Sequence, residues 1–457
     1  MTIADTTAPA PENLTERKDF FGHPPGLWYL AFTEAWERFS YYGMQALLAL
    51  YMVKYLLEPD RIARVIGFEH VRAFFGGMDG QPLASAITGG YFALVYLTPI
   101  AGGLIADRWL GKRITVLIGA LTMSAGHFMM ASEPLFLFAL LALVIGVGLF
   151  KGNIASQVGA LYKPEDLRRA DAFQIFYLGI NAGVIASPLI VGTLGEKLGW
   201  HWGFGAAGVG MLIGLVIYLS GQKYLPPEQP RATIATPKIG LSSNDWSALI
   251  ALLFLIPVMA IAIVPNNQIF NAYLVWGDAN FDLKFGGTTL PTTWLVTLDA
   301  VVSVSFLAIV ALFWRWYGKR HREPDELGKM IIGSAFSLAG ALCLVMAAAT
   351  QPAGGKIGLF WPVMFHVLNS IGFANLLPVS LALFARLAPK SINATVIGLY
   401  YLAFFAGNSA VGYIGGWLEI MPVTQFWLIH AACAGVAGLV FIVLKVLLRR
   451  QLAPATA

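Results

Sequence analysis

The segment EAWERFSYYGMQ, residues 34–45, places three ionisable side chains inside an apolar stretch that is long enough to cross a membrane. Its polar residues lie at positions 34, 37, 38, 41, 42 and 45, which is the spacing of one face of an α-helix. A charge at mid-bilayer costs roughly 2.5–3.5 kcal/mol on insertion scales, so this face must point into the protein or into a water-filled cavity. The segment therefore predicts a membrane helix with a polar, functional face.

The composition indicates an integral membrane protein. Of the 457 residues, 57% are hydrophobic and 12% are charged, which is too little polar surface for a soluble protein of this length. The net charge of +5 does not indicate nucleic-acid binding, because the basic residues sit in short loops. Cys343 and Cys433 lie in apolar stretches, so we interpret them as packing residues without a disulfide.

Apolar stretches of about 20 residues predict membrane helices. We predict twelve spans, at 28–56, 84–106, 113–132, 134–158, 170–195, 200–220, 245–276, 293–316, 328–350, 357–386, 391–417 and 424–447. The side that carries both termini has 20 Lys and Arg residues in its loops and tails, and the other side has six. By the positive-inside rule, both termini face the cytoplasm. For the extracellular loop 57–83 we favour an ordered loop with no role in transport over a short interfacial helix at 61–75.

A linker rich in Pro and polar residues, 221–244, divides the spans into two sets of six. This layout predicts an all-α membrane protein with the major facilitator fold, in which a central site is reached alternately from each face. The predicted parts are a cytoplasmic tail 1–27, a first six-helix bundle 28–220, the linker 221–244, a second six-helix bundle 245–448 and a cytoplasmic tail 449–457.

Glu34, Glu37 and Arg38 predict a proton-coupling group. Two carboxylates beside one guanidinium cannot both be fully paired, so one Glu can bind a proton. The alternative is a static buried ion pair that only orients helices. Lys151, in span four, has no acid near it in sequence. It needs a partner from another helix or a substrate carboxylate, unless its side chain reaches the cytoplasmic interface.

Other intramembrane polar residues are weaker candidates. Tyr96, Gln174 and Asn181 lie on spans two and five, and each is by itself more typical of a hydrogen bond between helices. The second half has Asp299 inside span eight, Asp278 near the extracellular end of span seven, and the polar residues Gln268, Asn271, His366, Asn369, Asn375 and Asn408. His366 has the chemistry of a proton shuttle, but we favour a packed, hydrogen-bonded histidine.

Four motifs resemble the proton-dependent oligopeptide transporter family. Residues 34–42 match its Glu-x-x-Glu-Arg-Phe-x-Tyr-Tyr pattern completely, and GGLIADRWLG at 102–111 resembles its loop signature. FKGN at 150–153 resembles its span-four motif, with Gly152 in place of the usual Pro, and FYLGINAG at 176–183 resembles its span-five motif. The resemblance is strong up to about residue 222 and weaker beyond it.

The resemblance implies import of di- and tripeptides driven by the inward proton gradient, without a cofactor. In the family, the residues that match Glu34, Glu37 and Arg38 take part in proton coupling. Those that match Arg38, Tyr42, Lys151 and Asn181 face the peptide, mainly its carboxylate end, and those that match Tyr41 and Tyr96 line the same pocket.

The chain departs from the family pattern within the pocket. Gln45 stands where many members have a second Arg, and Phe373 in span ten replaces the Glu that meets the peptide ammonium. Asp299 in span eight stands where an Asn followed by Pro is usual. We therefore predict that the acid has moved from span ten to span eight, where Asp299 holds the substrate ammonium or pairs with Lys151.

Together these features predict a peptide–proton symporter of a bacterial-type inner membrane that functions as a monomer. One alternative is a transporter for another small solute, an anion or an amine, because the second half departs from the family pattern. Another is a non-transporting receptor with a transporter fold. We expect no enzyme, because the sequence has no Ser/His/Asp, Cys/His or metal-spaced cluster. Weaker candidates for the binding site are Gln45, Gln174, Asp278, His366, Phe373 and Asn375.

Overall fold

The computed structural model describes residues 19–163, 166–227, 242–389 and 393–447, and these residues form an almost entirely helical protein. Its long helices are α1 (Pro25–Tyr51), α2 (Gly80–Ile105), α3 (Lys112–Met129), α4 (Phe136–Ala160), α5 (Arg168–Ser187), α6 (Trp200–Gly221), α7 (Ser243–Ala262), α8 (Trp294–Tyr317), α9 (Glu326–Ala349), α10 (Phe360–Leu387), α11 (Asn393–Gly415) and α12 (Val423–Leu447). Each of the twelve predicted spans falls on one of these helices.

Shorter elements connect or extend the long helices. Helical segments lie at Met52–Leu56, Pro59–Ile62, Phe68–Phe74, Ala106–Leu110, Glu133–Leu135, Pro188–Gly192, Thr193–Lys197, Gln222–Tyr224, Val264–Asn267, Gln268–Phe270 and Ala272–Asn280. Two short strands, β1 (Lys284–Phe285) and β2 (Thr288–Thr289), pair antiparallel in a hairpin between the last of these segments and α8.

Several of the long helices begin at residues that are favoured at helix N-termini. α1 begins with Pro25, whose missing N–H is not needed in the first helical turn. Ser242 and Asp245 form a capping box at the start of α7, in which the hydroxyl accepts from the Asp245 backbone N–H at 3.2 Å. Asp325 caps α9 by accepting from the Gly328 backbone N–H at 2.8 Å. The helix ends therefore follow from local sequence.

Ten helices of the described part are long and apolar enough to cross a membrane. The other two predicted spans are α1 and α3, which are also helical but more polar in composition. α1 carries the charges of residues 34–38, and the 18 residues of α3 include Lys112 and Arg113 at its start. The charged side chains of residues 34–38 are buried, and so are Thr115, Ser124 and His127 of α3, so polar faces of both helices lie inside the protein.

Two predicted spans are interrupted helices. Span seven, predicted at 245–276, continues after α7 as short helical segments, because Pro265 starts a new turn and Asn271 leaves the helical region with φ −132° and ψ −112°. Span five, predicted at 170–195, continues from α5 through a π-helical turn that starts at Pro188, which has no N–H for the regular ladder.

The loop 57–83 contains two short helices, Pro59–Ile62 and Phe68–Phe74, so part of the interfacial-helix alternative at 61–75 is helical. The predicted tails 1–27 and 449–457 lie outside the described residues, apart from residues 19–27. Most of the predicted linker 221–244 also lies outside them, and the division of the chain at this linker stays a prediction.

The helices pack as two groups. In the first, α1 packs on α5 and α6, α4 packs on α2 and α3, and α3 also packs on α6. In the second, α10 packs on α8 and α9, α9 packs on α12, and α7 packs on α11. The largest apolar core cluster contains buried residues of the first group only, from Leu27 to Leu225. We call the first group the N half and the second the C half.

The two halves contact each other along α2 and α11 and along α5 and α8. Gly89 of α2 and Gly412 of α11 bring the backbones of these helices together, because a Cβ at Gly412 would lie 3.0 Å from the Cα of Gly89. Only glycine permits so close an approach. The aromatic rings of Tyr96 and Phe404 stack between the same helices, with ring centres 4.8 Å apart.

Candidate functional site

A cavity of about 270 Å³ lies between the N half and the C half. Its polar and aromatic wall from the N half consists of Tyr41, Tyr42, Gln45, Phe92, Tyr96, Lys151, Tyr177 and Asn181. Its wall from the C half includes Asn266, Asn267, Phe270, Asp299, Ser303, Phe373, Phe404 and Asn408. The cavity therefore brings both halves, and most of the predicted pocket residues, to one place.

A buried ion group lies directly behind the tyrosines of α1. The Arg38 Nε lies 3.1 Å from a carboxylate oxygen of Glu34 and 2.5 Å from one of Glu37, and all three side chains are at most 6% exposed. The Arg38 guanidinium carbon lies 5.5 Å from the ring centre of Tyr41, which lines the cavity. In the described part of the chain, Oε2 of Glu34, both oxygens of Glu37, and the Nε and Nη2 of Arg38 have no partner in hydrogen-bond geometry, so the contacts of Arg38 with the two carboxylates are ion-pair contacts.

This arrangement leaves the ion group one positive charge short. Two buried carboxylates share a single guanidinium, and an uncompensated buried charge is strongly unfavourable. A proton on either carboxylate would balance the group and would free part of the guanidinium for another anion. The geometry thus fits the predicted role of these residues, which stays a prediction.

Lys151 projects from α4 into the cavity. Its ammonium lies 4.8 Å from the ring centre of Tyr96, a cation–π distance. The charges of Arg38 and the two glutamates act on Lys151, so the four groups share one electrostatic environment. Among the described residues no carboxylate lies within ion-pair distance of Lys151, so no described side chain pairs with this ammonium of the cavity wall.

In the C half, Asp299 lines the cavity and heads a chain of hydrogen bonds. Its Oδ1 lies 3.0 Å from the Nδ1 of His366, and the Nε2 of that ring lies 2.8 Å from the hydroxyl of Tyr273. Asp299 therefore pairs with His366 instead of Lys151, one of its two predicted partners, because the packing of α8 on α10 brings the histidine to it. His366 is fully buried and hydrogen-bonded, as predicted for a packed histidine.

Three weaker candidates lie away from the cavity. Gln174 is exposed on the surface of α5. Asp278 pairs with Lys54 of the N half at 2.9 Å and accepts a hydrogen bond from Thr292 at 2.7 Å. The side-chain oxygen of Asn375 accepts from the indole N–H of Trp314 at 2.8 Å, which is a hydrogen bond between α10 and α8. Of the other three weak candidates, Gln45 and Phe373 line the cavity, and His366 is buried behind Asp299.

The sequence reasoning missed several lining residues, among them Tyr177, Phe270, Ser303 and the pair Asn266–Asn267. A signal for the pair was available, because three consecutive amide side chains directly after Pro265, Asn266, Asn267 and Gln268, are unusual inside an apolar span. Irregular backbone at membrane depth is tolerated only where it is buried in protein or lines a cavity. The broken stretch after α7 is such a place.

Outside the cavity, Glu196 of the N half accepts hydrogen bonds at the N-terminus of α8, a helix of the C half. Glu196 accepts from the backbone N–H groups of Thr292 and Thr293, each at 2.8 Å, and from the Thr293 hydroxyl at 2.7 Å. These threonines directly precede α8, where the helix dipole favours a negative charge. We call Glu196, Thr292 and Thr293 the latch, since they join the two halves at this end of the protein.

A second polar contact joins the halves near the latch. The Gln81 side-chain amide donates to the Gly415 carbonyl at 2.9 Å, and the Ser85 hydroxyl donates to the side-chain oxygen of Asn271 at 2.9 Å. All four residues are at the ends of helices or in the broken stretch after α7. The two halves are thus held together at the end where α2 begins and α11 ends.

Comparison with known proteins supports one family. A family model described as PTR2, POT family, matches residues 113–244 and 241–420. The chain is 32% identical to the uncharacterized transporter YclF of Bacillus subtilis (strain 168), over 94% of this chain and 93% of that protein. It is 30% identical to the peptide transporter YePEPT of Yersinia enterocolitica subsp. palearctica, over 95% and 96%.

Solved structures agree with this assignment. The fold superimposes on a crystal structure of the peptide transporter POT in complex with sulfate, with a TM-score of 0.80, 27% identity and coverage of 95% of this chain and 96% of that one. The predicted fold class, an all-α membrane protein with the major facilitator fold, is confirmed by this likeness, and the predicted twelve helices are consistent with it. From the family model and from relatives that are at least 30% identical over almost its whole length, we conclude that the chain belongs to the POT family.

Proposed function

We propose that this chain is a proton-coupled symporter that imports di- and tripeptides by alternating access. It acts as a monomer in the cytoplasmic membrane, with both termini in the cytoplasm, and it performs no enzymatic step. The observation that carries the proposal is Lys151, a cavity ammonium for which the described residues supply no carboxylate, opposite the carboxylate of Asp299 in the other half.

A short peptide matches this cavity in charge and in surface. Its terminal carboxylate suits Lys151 and its terminal ammonium suits Asp299, while its side chains meet the rings of Tyr42, Phe270 and Phe373. The Yersinia relative and the superimposed structure are both named as peptide transporters, which supports the same substrate class here. The chain has Phe373 on α10 where the family has a Glu. Among the described lining residues of the C half, Asp299 is therefore the carboxylate that binds the peptide ammonium.

Proton coupling follows from competition for one guanidinium. While both glutamates are ionised, they hold Arg38 at 3.1 Å and 2.5 Å, behind the cavity wall. A proton on Glu34 or Glu37 weakens this hold, and Arg38 can then turn toward the carboxylate of a peptide. Substrate binding thus favours the protonated state, and protonation favours substrate binding, so the two move together.

The test is uptake of a radiolabelled dipeptide by proteoliposomes with an acidic exterior, with an equal pH on both sides, and with a protonophore added. We expect accumulation only with the gradient. In Glu37→Gln the gradient should no longer drive accumulation, whereas Glu323→Gln, which removes a carboxylate paired with Lys329 away from the cavity, should behave as the parent protein. Uptake that ignores the gradient, or that stays gradient-driven in both Glu34→Gln and Glu37→Gln, would contradict the coupling.

A further inference from the structure

We propose that Asp299, His366 and Tyr273 form a charge-compensating site, which accepts either the ammonium group of a substrate or, when the substrate has none, a proton. The site would extend the substrate class to N-blocked short peptides, which are anions, each bound with one more proton than a zwitterionic peptide. This inference rests on the proposed function, because it concerns the second charge of the same cavity.

The three side chains form a path from the cavity into the protein. Asp299 comes from α8, His366 from α10 and Tyr273 from the segment Ala272–Asn280, and their polar atoms are joined at 3.0 Å and 2.8 Å. His366 and Tyr273 are fully buried, whereas the Asp299 side chain is 11% exposed. A substrate ammonium or a proton from cavity water therefore reaches the group through Asp299.

A count of charges shows what the site lacks. With a proton on one glutamate, the group of Glu34, Glu37 and Arg38 is neutral, and Lys151 and Asp299 each place one charge on the cavity wall. A substrate carboxylate bound to Lys151 balances that ammonium, which leaves Asp299 a negative charge without a compensating cation, because a neutral histidine supplies only a hydrogen bond. A buried charge of this kind is strongly unfavourable inside a membrane. The site is neutral once it holds one ammonium or one proton.

The hydrogen bonds fix where the proton goes. While Asp299 is ionised, its carboxylate can only accept, so the Nδ1–H of a neutral His366 ring donates to Asp299 and the Nε2 accepts from the Tyr273 hydroxyl. An added proton enters from cavity water and is held by the aspartate–histidine pair, as a carboxylic acid or as an imidazolium. When a substrate ammonium binds Asp299, this proton returns to cavity water. The charge of the occupied site is the same in both cases.

Among the described residues around Asp299, His366 and Tyr273, no second acid or base takes the place of the Asp299–His366 pair. Tyr42 of α1 lines the same cavity as Asp299, and the ion group of Glu34, Glu37 and Arg38 lies on the same helix as Tyr42. Cys343 of α9 belongs to the same apolar cluster as Tyr273. On α12, His430 lies beyond a tryptophan ring and is held by the Phe426 carbonyl at 2.8 Å, and Asp278 is paired with Lys54.

The test compares dialanine with N-acetyl-dialanine, which differ by one ammonium group. Calorimetric titration in buffers of different ionisation enthalpy, on the full chain in nanodiscs, gives the number of protons taken up with each ligand. We expect N-acetyl-dialanine to take up one proton more than dialanine when the two ligands are titrated at the same pH. In Asp299→Asn the difference should vanish.

Ser370→Ala is the matched control. Ser370 lies one helical turn from His366 and its hydroxyl is 2.9 Å from that of Ser303, so the variant removes a contact between α8 and α10 without touching a titratable group. It should keep the difference of one proton. Equal proton numbers for the two ligands in the parent protein, no binding of N-acetyl-dialanine, or a difference that persists in Asp299→Asn would each overturn the proposal.

The proposed function is judged separately, by gradient-driven uptake of dialanine in proteoliposomes. If this uptake occurs and the proton numbers are equal, only the charge-compensating site is wrong. If dialanine is neither bound nor accumulated, both proposals fail. The comparison of two ligands on the parent protein does not depend on the folding of any variant, so the site remains testable even if Asp299→Asn is unstable.

Discussion

Glu196→Gln should open the end of the protein that the latch closes. The Glu196 carboxylate accepts three hydrogen bonds across the two halves, at 2.7 to 2.8 Å. A glutamine keeps one acceptor oxygen but turns an amide N–H₂ group toward the other donor, the backbone N–H of Thr292. At least one charge-assisted bond is lost, and such bonds contribute about 1.5–3 kcal/mol each. For a partly exposed group we take about 2 kcal/mol, a shift of about 30-fold toward separated halves.

The shift can be measured as a distance between spin labels on the two halves. Leu198 and Phe285 lie beside the latch on opposite halves, and their side chains are 65% and 74% exposed. With Cys343 and Cys433 replaced by alanine, nitroxides at these two positions report the separation by double electron–electron resonance. We expect one short-distance population in the parent protein and a larger long-distance population in Glu196→Gln.

Glu133→Gln is the control for this measurement. Glu133 is a carboxylate with several donors, accepting from Tyr55 at 2.8 Å and pairing with Arg61 and Arg64, but all of these partners belong to the N half. Its loss should leave the distances between the halves unchanged. If Glu196→Gln gives the same distance distribution as Glu133→Gln and the parent protein, the latch does not hold the halves together.

Substitutions at three further sites test other contacts. Gly89→Ala should abolish dipeptide uptake without unfolding the protein, because its Cβ meets the backbone of α11, whereas Gly90→Ala, whose Cβ has 3.7 Å to the nearest atom, should retain uptake. Lys151→Gln should weaken dipeptide binding about 10- to 100-fold in a thermal-shift titration, as expected for losing a charge-assisted bond, and leave binding of the dipeptide amide unchanged. Burial raises the pKa of Asp325, but its bonds to Lys445 and the α9 backbone outweigh this and hold that pKa below its usual value. Its stabilising effect is therefore present at neutral pH and lost as pH falls through the lowered pKa, and Asp325→Ala should reduce the unfolding free energy at pH 7 by about 1 kcal/mol, against less for Asp325→Asn. An equal loss in the two Asp325 variants would contradict the capping role.

Much of the fold could be predicted from the sequence, because membrane helices must be apolar and long. The polar face of residues 34–45 could be assigned to the interior for the same reason, and so could Lys151, since neither is stable against lipid. These arguments concern one helix at a time. They need only the spacing of residues along that helix and the properties of the bilayer.

Contacts between helices distant in sequence could not be predicted in this way. The bond between Asp299 and His366 joins residues 67 positions apart, and that between Lys54 and Asp278 joins residues 224 positions apart. The partner of each charged residue therefore depends on how distant helices pack against one another, and the spacing of residues along one helix does not encode that packing. For the same reason Asp299 was given Lys151 as one of its predicted partners, and the role of Glu196 was not predicted at all.

The anion-binding and cation-binding ends of the cavity belong to different halves of the protein, with Lys151 on α4 and Asp299 on α8. Under the proposed function, a peptide bound at both termini links the two halves, and its length sets how closely they can approach each other. Removing one amino acid shortens the peptide by about 3.5 Å, so that one terminus no longer reaches its binding residue. Preference for two or three residues would then be a matter of length, whatever the side chains.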